Sequence, residues 1–450
     1  MRGRSEDPVV KTVIKNARIV NEGSVIEGDL SIEAGRIARV GGEISDDGNV
    51  VDARGAFLLP GMIDDQVHFR EPGFEHKGTI ACESRAAVAG GITSYMEMPN
   101  CNPLTVTHEA LDDKHHRAAR VSLANYAFYF GATNDNLEAI KTVDPLKACG
   151  IKVFMGASTG NMLVDDEETL EGIFAGTALV IATHCEDTPT ILENEARAKR
   201  RYGNDVPIEE HPLIRSEEAC YKSSALATEL AKRHGSRLHV LHLTTAKELE
   251  LFDTGPIEGK RITAEVCVHH LCFNDGDYRT KGADIKCNPA IKKPSDQAAL
   301  LKALVDDRID VIATDHAPHT REEKDRSYFN APAGLPLAQH ALLSLMEHVR
   351  SGTLSIETVA LKTAHAPALM FDVNARGFLR EGYWADVVLV DPDARTIVDE
   401  EPVLSKCGWS PFSGTTFSSR ITHTFVNGLP AYADGRIVEV GVAMALEFDR

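Results

Sequence analysis

Five side chains able to bind a metal ion stand at or near the ends of short apolar runs. They are His68, Lys152, His184, His242 and Asp315. A lone histidine in an apolar strand is more often a hydrogen-bonded core residue, and Asp315 by itself could cap a turn. Lys152 is harder to explain, because an ammonium group inside an apolar run costs several kcal/mol unless it is paired or modified. Taken together, the five positions favour one shared site.

The ligand types indicate which ion such a site would hold. Imidazole nitrogen and carboxylate oxygen without a thiolate fit zinc or a similar divalent ion. We expect one or two ions per chain. A metal ion with an open coordination position lowers the pKa of a bound water toward neutrality, which is the chemistry of a metal-dependent hydrolase.

The apolar runs themselves predict the fold that would bring these residues together. Eight runs read as strands: GMIDDQVHF, TSYMEMPN, NYAFYFG, GIKVFM, ALVIATHC, LHVLHLT, RITAEVCVHH and DVIATDH. Amphipathic segments such as Glu109–Ala119 and Ser223–His234 lie between several of them. Eight alternating strands and helices predict a (β/α)8 barrel, whose carboxyl-terminal strand ends converge on one face. A doubly wound open sheet is the alternative, but no GxGxxG follows the first strand.

The two ends of the chain differ from the middle in their pattern of apolar and polar residues. Residues 1–61 and 372–450 contain short alternating strands and hairpin signals such as Asn427-Gly428 and Asp434-Gly435. We therefore predict a composite β-sandwich domain from 1–61 and 372–450, around a hydrolase barrel that spans 62–371.

Composition excludes several classes of protein. The 450 residues are 43% hydrophobic and 26% charged, as in an ordinary globular protein, and the net charge of -19 argues against a nucleic-acid partner. No apolar run reaches the ~20 residues of a membrane span, and no secretory signal follows the start. The nine cysteines are scattered and form no CxxC pair, which favours free thiols in a reducing cytoplasm.

Several motifs resemble those of the amidohydrolase superfamily, and within it those of dihydroorotases. They cover nearly the whole chain and read HFREPGFEHKG, MPNCNP, KVFMGAS (Lys152–Ser158), HVLHLTTA, NPAIKK, ATDHAPH and SKCGWSPFSG. The resemblance implies a metal-dependent cyclic amidase that interconverts dihydroorotate and N-carbamoyl-L-aspartate in pyrimidine synthesis. The partner would thus be a small anionic substrate, and a homodimer is possible.

The resemblance also implies a role for each site residue. His68 and Asp315 would bind one metal ion, His184 and His242 the other, and a carbamylated Lys152 would bridge them. Asp315 would also transfer the proton during catalysis. The positions that match substrate-binding residues of the family are Arg70, Asn100, Asn288, His319, Ala333 and Gly334.

Arg70 has a physical argument of its own. A planar guanidinium binds a carboxylate through two hydrogen bonds, and an acidic protein needs such a group to hold an anionic substrate. Allantoinases resemble this motif but carry Asn at that position, and hydantoinases lack the REPG run. A surface salt bridge is the plainer interpretation of Arg70.

Gln66 departs from the family pattern, in which His would precede His68 by two residues. Residues 66 and 68 share one face of a strand, so the geometry of a two-ligand strand is kept while one ligand is lost. A neutral amide is a weak zinc ligand, so we predict a weakened metal site near Gln66. Two outcomes follow: an active hydrolase with one tightly bound ion, or a catalytically impaired partner subunit.

Other histidines have weaker claims. His239 is three residues before His242, so alternation along a strand predicts that the two point to opposite faces. His269 and His270 end the predicted seventh strand and either line the pocket or belong to the core.

Overall fold

The structure is a computed structural model that describes residues 11–45, 47–156, 162–441 and 443–450. The last two residues of the KVFMGAS motif, and residues 1–10 of the predicted terminal domain, therefore lie outside the described chain. The amino-terminal part contributes five strands: β1 (Thr12–Asn21), β2 (Ser24–Glu33), β3 (Arg36–Val40), β4 (Asn49–Asp52) and β5 (Phe57–Pro60).

Eight parallel strands follow and form the barrel. They are β6 (Met62–Val67), β7 (Ile92–Glu97), β8 (Asn125–Gly131), β9 (Ala148–Phe154), β10 (Val180–His184), β11 (Leu238–Val240), β12 (Ile262–Cys267) and β13 (Val311–Ala313). They pair in chain order from β6 to β13. The two edges meet beyond β13, where the N–H of His68 donates to the carbonyl of His316 at 2.7 Å. The predicted (β/α)8 barrel is confirmed, because each of the eight apolar runs supplies one strand.

Helices connect the barrel strands and cover the outside of the sheet. They are α1 (Ile80–Ala89), α2 (His108–Val121), α3 (Leu137–Lys141), α4 (Glu167–Gly176), α5 (Thr188–Tyr202), α6 (His211–Ile214), α7 (Glu217–His234), α8 (Val268–Cys272), α9 (Tyr278–Lys281), α10 (Pro294–Val305), α11 (Arg321–Lys324), α12 (Ala341–Arg350), α13 (Ile356–Ala360) and α14 (Ala366–Met370). The predicted helical segments fall within α2 and α7. Both helices begin at a side chain that accepts a backbone N–H, Thr107 for α2 and Ser216 for α7.

The carboxyl-terminal part returns to β-structure. Its strands are β14 (Val387–Asp391), β15 (Thr396–Ile397), β16 (Thr416–Phe417), β17 (Arg420–Val426), β18 (Leu429–Ala433) and β19 (Arg436–Ile437). All but β15 and β16 join β1–β5 in one nine-stranded sheet, in which β5 pairs with β14. The two chain ends thus build one terminal sheet, as the sequence predicts.

The last described residues leave that sheet and pack against the barrel. The backbone of Tyr126 in β8 exchanges hydrogen bonds with Met444 and Leu446 at 3.0 and 2.8 Å. The Arg450 guanidinium donates to carbonyl groups of the barrel that include that of Cys149, at 2.7 Å. None of the helices among the described residues is long and apolar enough to span a membrane.

Candidate active site

The polar strand-end residues meet around one cavity at the carboxyl-terminal end of the barrel. Its lining contains eleven of the positions discussed from the sequence: Gln66, His68, Arg70, Asn100, Lys152, His184, His242, Asn288, Asp315, Ala333 and Gly334. His319 does not line the cavity but contacts Arg70 from behind. The structure therefore brings together every predicted site residue, because parallel barrel strands all end on the same face.

His184 and His242 approach each other most closely. The Nδ1 atom of His184 lies 3.0 Å from the Nε2 atom of His242. Burial, and for His242 also the neighbouring His184, lowers the pKa of both rings, so both are neutral at pH 7. In the tautomers that carry the ring proton on the other nitrogen, both imidazoles turn a lone pair toward the same point, which suits a shared cation.

Glu186 fixes the orientation of His184. Its Oε2 atom lies 3.1 Å from the Nε2 atom of His184, and it forms an ion pair with Arg215. Burial opposes ionisation, but Arg215 and His184 outweigh it and lower the pKa of Glu186 to about 2. The anion holds the imidazole with Nδ1 toward the cavity, the arrangement found behind metal-binding histidines. The sequence analysis missed Glu186, although its position two residues after His184 was a usable signal.

Lys152 occupies the floor of the cavity on β9. Its Nζ atom is buried and has no hydrogen-bond partner among the described residues. Burial lowers the pKa of the amine to about 7. A buried amine with a substantial neutral fraction near pH 7 can react as a nucleophile, so it fits a lysine that becomes modified or binds a cation.

Asp315, His68 and Gln66 form a second group on the opposite side of the cavity. The Oδ1 atom of Asp315 is 3.1 Å from the Nε2 atom of His68 and accepts a hydrogen bond from the Nε2 atom of Gln66 at 3.2 Å. The Oε1 atom of Gln66 lies 3.8 Å from the thiol of Cys267, a donor, which supports this orientation of the amide. Gln66 therefore donates to the carboxylate at the place where a histidine would offer a lone pair.

The residues present fit a divalent cation on the side of Lys152, His184 and His242. The buried amine of Lys152 has no hydrogen-bond partner among the described residues, and the imidazoles of His184 and His242 face each other, so all three can offer a lone pair to a cation. On the side of Asp315 and His68 the fit is poorer, because the Gln66 amide already uses one carboxylate oxygen.

Arg70 enters the cavity from the segment just after β6, with a φ of 73°. Only 7% of its surface is exposed. Its Nε atom donates to the carbonyl of Pro318 at 3.0 Å, and its Nη2 atom lies 3.0 Å from the Nε2 atom of His319. No carboxylate of the described chain lies within 4.0 Å of the guanidinium. A buried cation without an anionic partner is costly, so this geometry suits an anionic ligand.

Three further residues line the cavity mouth. The Oδ1 atom of Asn288 is buried without a hydrogen-bond partner in the described parts of the chain. The carbonyl of Ala333 lies 3.0 Å from the Nε2 atom of His319. Gly334 has a φ of 140°, and a Cβ there would lie 2.5 Å from the carbonyl oxygen of Ala317. Only glycine allows the chain to pass this close to the cavity wall.

His239 does not point away from His242, contrary to the alternation argument. His242 lies beyond the end of β11 with a φ of 42°, so strand periodicity does not relate the two residues. The Nε2 atom of His239 lies 3.1 Å from Asp65 and 3.6 Å from Glu265, in the barrel interior beneath the cavity. Burial alone would lower its pKa, but the two carboxylates raise it to about 9.

Glu265 connects this interior layer to the site. Its Oε1 atom accepts the backbone N–H of His242 at 2.9 Å, which holds His242 in its left-handed conformation. The sequence analysis missed Glu265 and Asp65, although a carboxylate inside an apolar strand was a signal in each case. The prediction that His269 and His270 end a strand is also wrong: β12 stops at Cys267, and both histidines belong to α8.

The chain as a whole is similar to several known proteins. The model of the amidohydrolase family matches residues 57–431. A dihydroorotase of Halobacterium salinarum is 35% identical over 88% of this chain and 92% of its own length. An allantoinase of Bacillus velezensis is 33% identical over 94% of both chains. The solved L-hydantoinase (dihydropyrimidinase) of Arthrobacter aurescens is 27% identical, with a TM-score of 0.91 over 97% of this chain and 99% of that one.

Proposed function

This chain belongs to the amidohydrolase family and is a hydrolase of cyclic amides, and we propose that its substrate is dihydroorotate, opened reversibly to N-carbamoyl-L-aspartate. The relatives divide among dihydroorotase, allantoinase and hydantoinase, so identity alone does not select among the three. The choice depends on which ring substituent the cavity can bind.

The observation that carries the proposal is the unpaired Arg70. A guanidinium has five N–H donors, and the contacts to Pro318 and His319 use two of them, which leaves three for a ligand. The dihydroorotate ring bears a carboxylate, whereas hydantoin and allantoin bear none. Only the carboxylate substrate would give the buried cation an anion, and Asn100 beside it offers a second polar contact.

His319 holds Arg70 in place for this contact. Burial and the adjacent guanidinium lower the pKa of His319 well below its usual value, so the ring stays neutral and does not repel the cation. The Nε2 atom of His319 can accept a hydrogen bond from the Nη2 atom of Arg70, and this contact orients the remaining guanidinium N–H groups toward the cavity.

Asp315 moves the proton. In hydrolysis the water oxygen bonds to the ring carbonyl carbon, the C–N bond breaks, and the proton given up by water passes through the Asp315 carboxylate to the departing ring nitrogen. The Oδ1 atom of Asp315 is held by His68 and Gln66, so Oδ2 is the atom that accepts and returns the proton.

We further propose that Lys152, His184 and His242 hold a divalent ion, most simply zinc, and that Lys152 is carbamylated. Members of the family are generally metal-dependent. When bound, such an ion supplies Lewis acidity, which activates water and polarises the substrate carbonyl. His68 and Asp315 would hold a second ion more weakly, since Gln66 replaces a ligand by a hydrogen-bond donor.

Ring opening of dihydroorotate, hydantoin and allantoin by the zinc-supplied protein tests the proposal, together with elemental analysis of the bound metal. We expect kcat/KM for dihydroorotate to exceed the other two on the order of 100-fold, since one charged contact is worth ~3 kcal/mol. Faster turnover of allantoin or hydantoin would assign the chain to those activities. No turnover of any substrate with the metal bound would make it the catalytically impaired partner subunit.

A further inference from the structure

A cluster of one cysteine and two histidines lies beside the active site and has no role in the proposed reaction. Cys267 ends β12, and His269 and His270 follow in the first turn of α8. One ligand atom from each of the three residues lies within 4.8 Å of the others, and all three side chains are buried. We propose that Cys267, His269 and His270 form a separate site for a thiophilic divalent ion of the zinc class.

The two histidines lack the partners that buried imidazoles normally have. Neither ring nitrogen of His269 makes a hydrogen bond of normal geometry within the described residues, although the backbone of Thr314 lies beside the ring, and the Nδ1 atom of His270 has no partner there. The other nitrogen of His270 lies 3.3 Å from the carbonyl of Pro289. Buried polar atoms are almost always satisfied, so three unpartnered nitrogens in one cluster indicate a missing ligand.

The chemistry of the three side chains selects the ion. A thiolate with two neutral imidazoles is a typical zinc ligand set, and a fourth position stays open for water or a nearby carboxylate. Binding releases the thiol proton of Cys267 and forms the metal–sulfur bond, so the charge of the ion is partly neutralised by its own ligand. The Cys267 thiol donates to the Oε1 atom of Glu265 at 3.4 Å, so a carboxyl oxygen stands beside the sulfur that would bind the ion.

The cluster borders the half of the active site that Gln66 weakens. The Sγ atom of Cys267 lies 3.8 Å from the Oε1 atom of Gln66, which lines the cavity. The cluster therefore adjoins the wall of the cavity at Gln66. This site is distinct from the one formed by Lys152, His184 and His242, which contains no thiolate.

Cobalt(II) added to the full-length protein tests the proposal independently of turnover. Cobalt replaces zinc in such sites, and only a thiolate ligand gives it a charge-transfer band in the near ultraviolet. We expect this band in the wild-type protein and its complete loss in Cys267→Ala, with about one equivalent of metal lost per chain. We expect His269→Gln to weaken cobalt binding at this band roughly tenfold or more.

Cys272→Ala is the matched control, because Cys272 ends α8, the helix of His269 and His270, but its thiol contacts Ser344. It should keep both the band and the bound metal. A wild-type protein without the band at saturating cobalt overturns the proposal, whatever the variants do. A band that persists in Cys267→Ala, or unchanged affinity in His269→Gln, overturns it as well.

Discussion

Replacement of Arg70 tests the assignment of the substrate most directly. The guanidinium has three N–H groups to offer, enough for two parallel hydrogen bonds to a carboxylate. Each hydrogen bond to a charged group contributes ~1.5–3 kcal/mol, so the pair contributes ~3–6 kcal/mol. Arg70→Gln should therefore lower kcat/KM for dihydroorotate by roughly 10²–10⁴-fold. Arg70→Lys keeps the charge but loses the planar group that makes two parallel hydrogen bonds, and should lower kcat/KM for dihydroorotate by roughly 10–100-fold.

The control is a ligand that differs only at the carboxylate. Dihydroorotate and 5,6-dihydrouracil can be compared as inhibitors or substrates of the same variants. The loss should fall on dihydroorotate alone, because dihydrouracil has nothing for the guanidinium to bind. An equal loss for both ligands would show that Arg70 supports the fold of the cavity instead of binding the carboxylate.

Stability measurements separate the two explanations further. Arg70 is buried without a carboxylate partner, so its burial costs free energy in the unliganded protein. We expect Arg70→Gln to change the free energy of unfolding by no more than about 1 kcal/mol, since the desolvation cost removed offsets the hydrogen bond lost to Pro318. A large drop in Tm would refute the argument that this side chain is held for a ligand.

Three further predictions concern metal content and pH. Gln66→His should raise the zinc content measured by elemental analysis, because the substitution removes the hydrogen bond to Asp315 and adds a metal ligand. An unchanged zinc content would mean that residue 66 does not face the ion. Lys152→Met should lose bound metal without a lower Tm in the metal-free protein, since its Nζ atom makes no hydrogen bond among the described residues; full metal retention would contradict its role. Burial lowers the pKa of His340 from 6.5 to about 4 in the folded protein, so the unfolded state binds the proton more tightly. The contribution of His340 to the free energy of unfolding is therefore fully present above pH 6.5. It falls by about 3 kcal/mol as the pH drops toward 4. Urea denaturation of His340→Gln should show a flatter pH dependence in this window than wild type, whereas the exposed His116→Gln should not.

The sequence by itself determined the barrel and which candidate site residues converge at one end of it. Eight short apolar runs can be counted without a structure, and each became a barrel strand. Because parallel strands of a barrel end on one face, the residues at those ends had to converge. The same reasoning placed Gln66 beside His68 and put Arg70 at the cavity, since both follow directly from the position of β6.

Only the tertiary structure decided which atoms face each other. Hydrophobic periodicity reports which side of a strand is buried, but it does not say what a buried group meets across the barrel. The pairing of His239 with Asp65, the hydrogen bond from Gln66 to Asp315 and the anchoring of His184 by Glu186 and Arg215 depend on chain packing that no local pattern encodes. The left-handed conformation of His242 is the clearest case: once the strand ends, alternation no longer applies, and a hydrogen bond to Glu265 on the next strand sets the direction of the side chain.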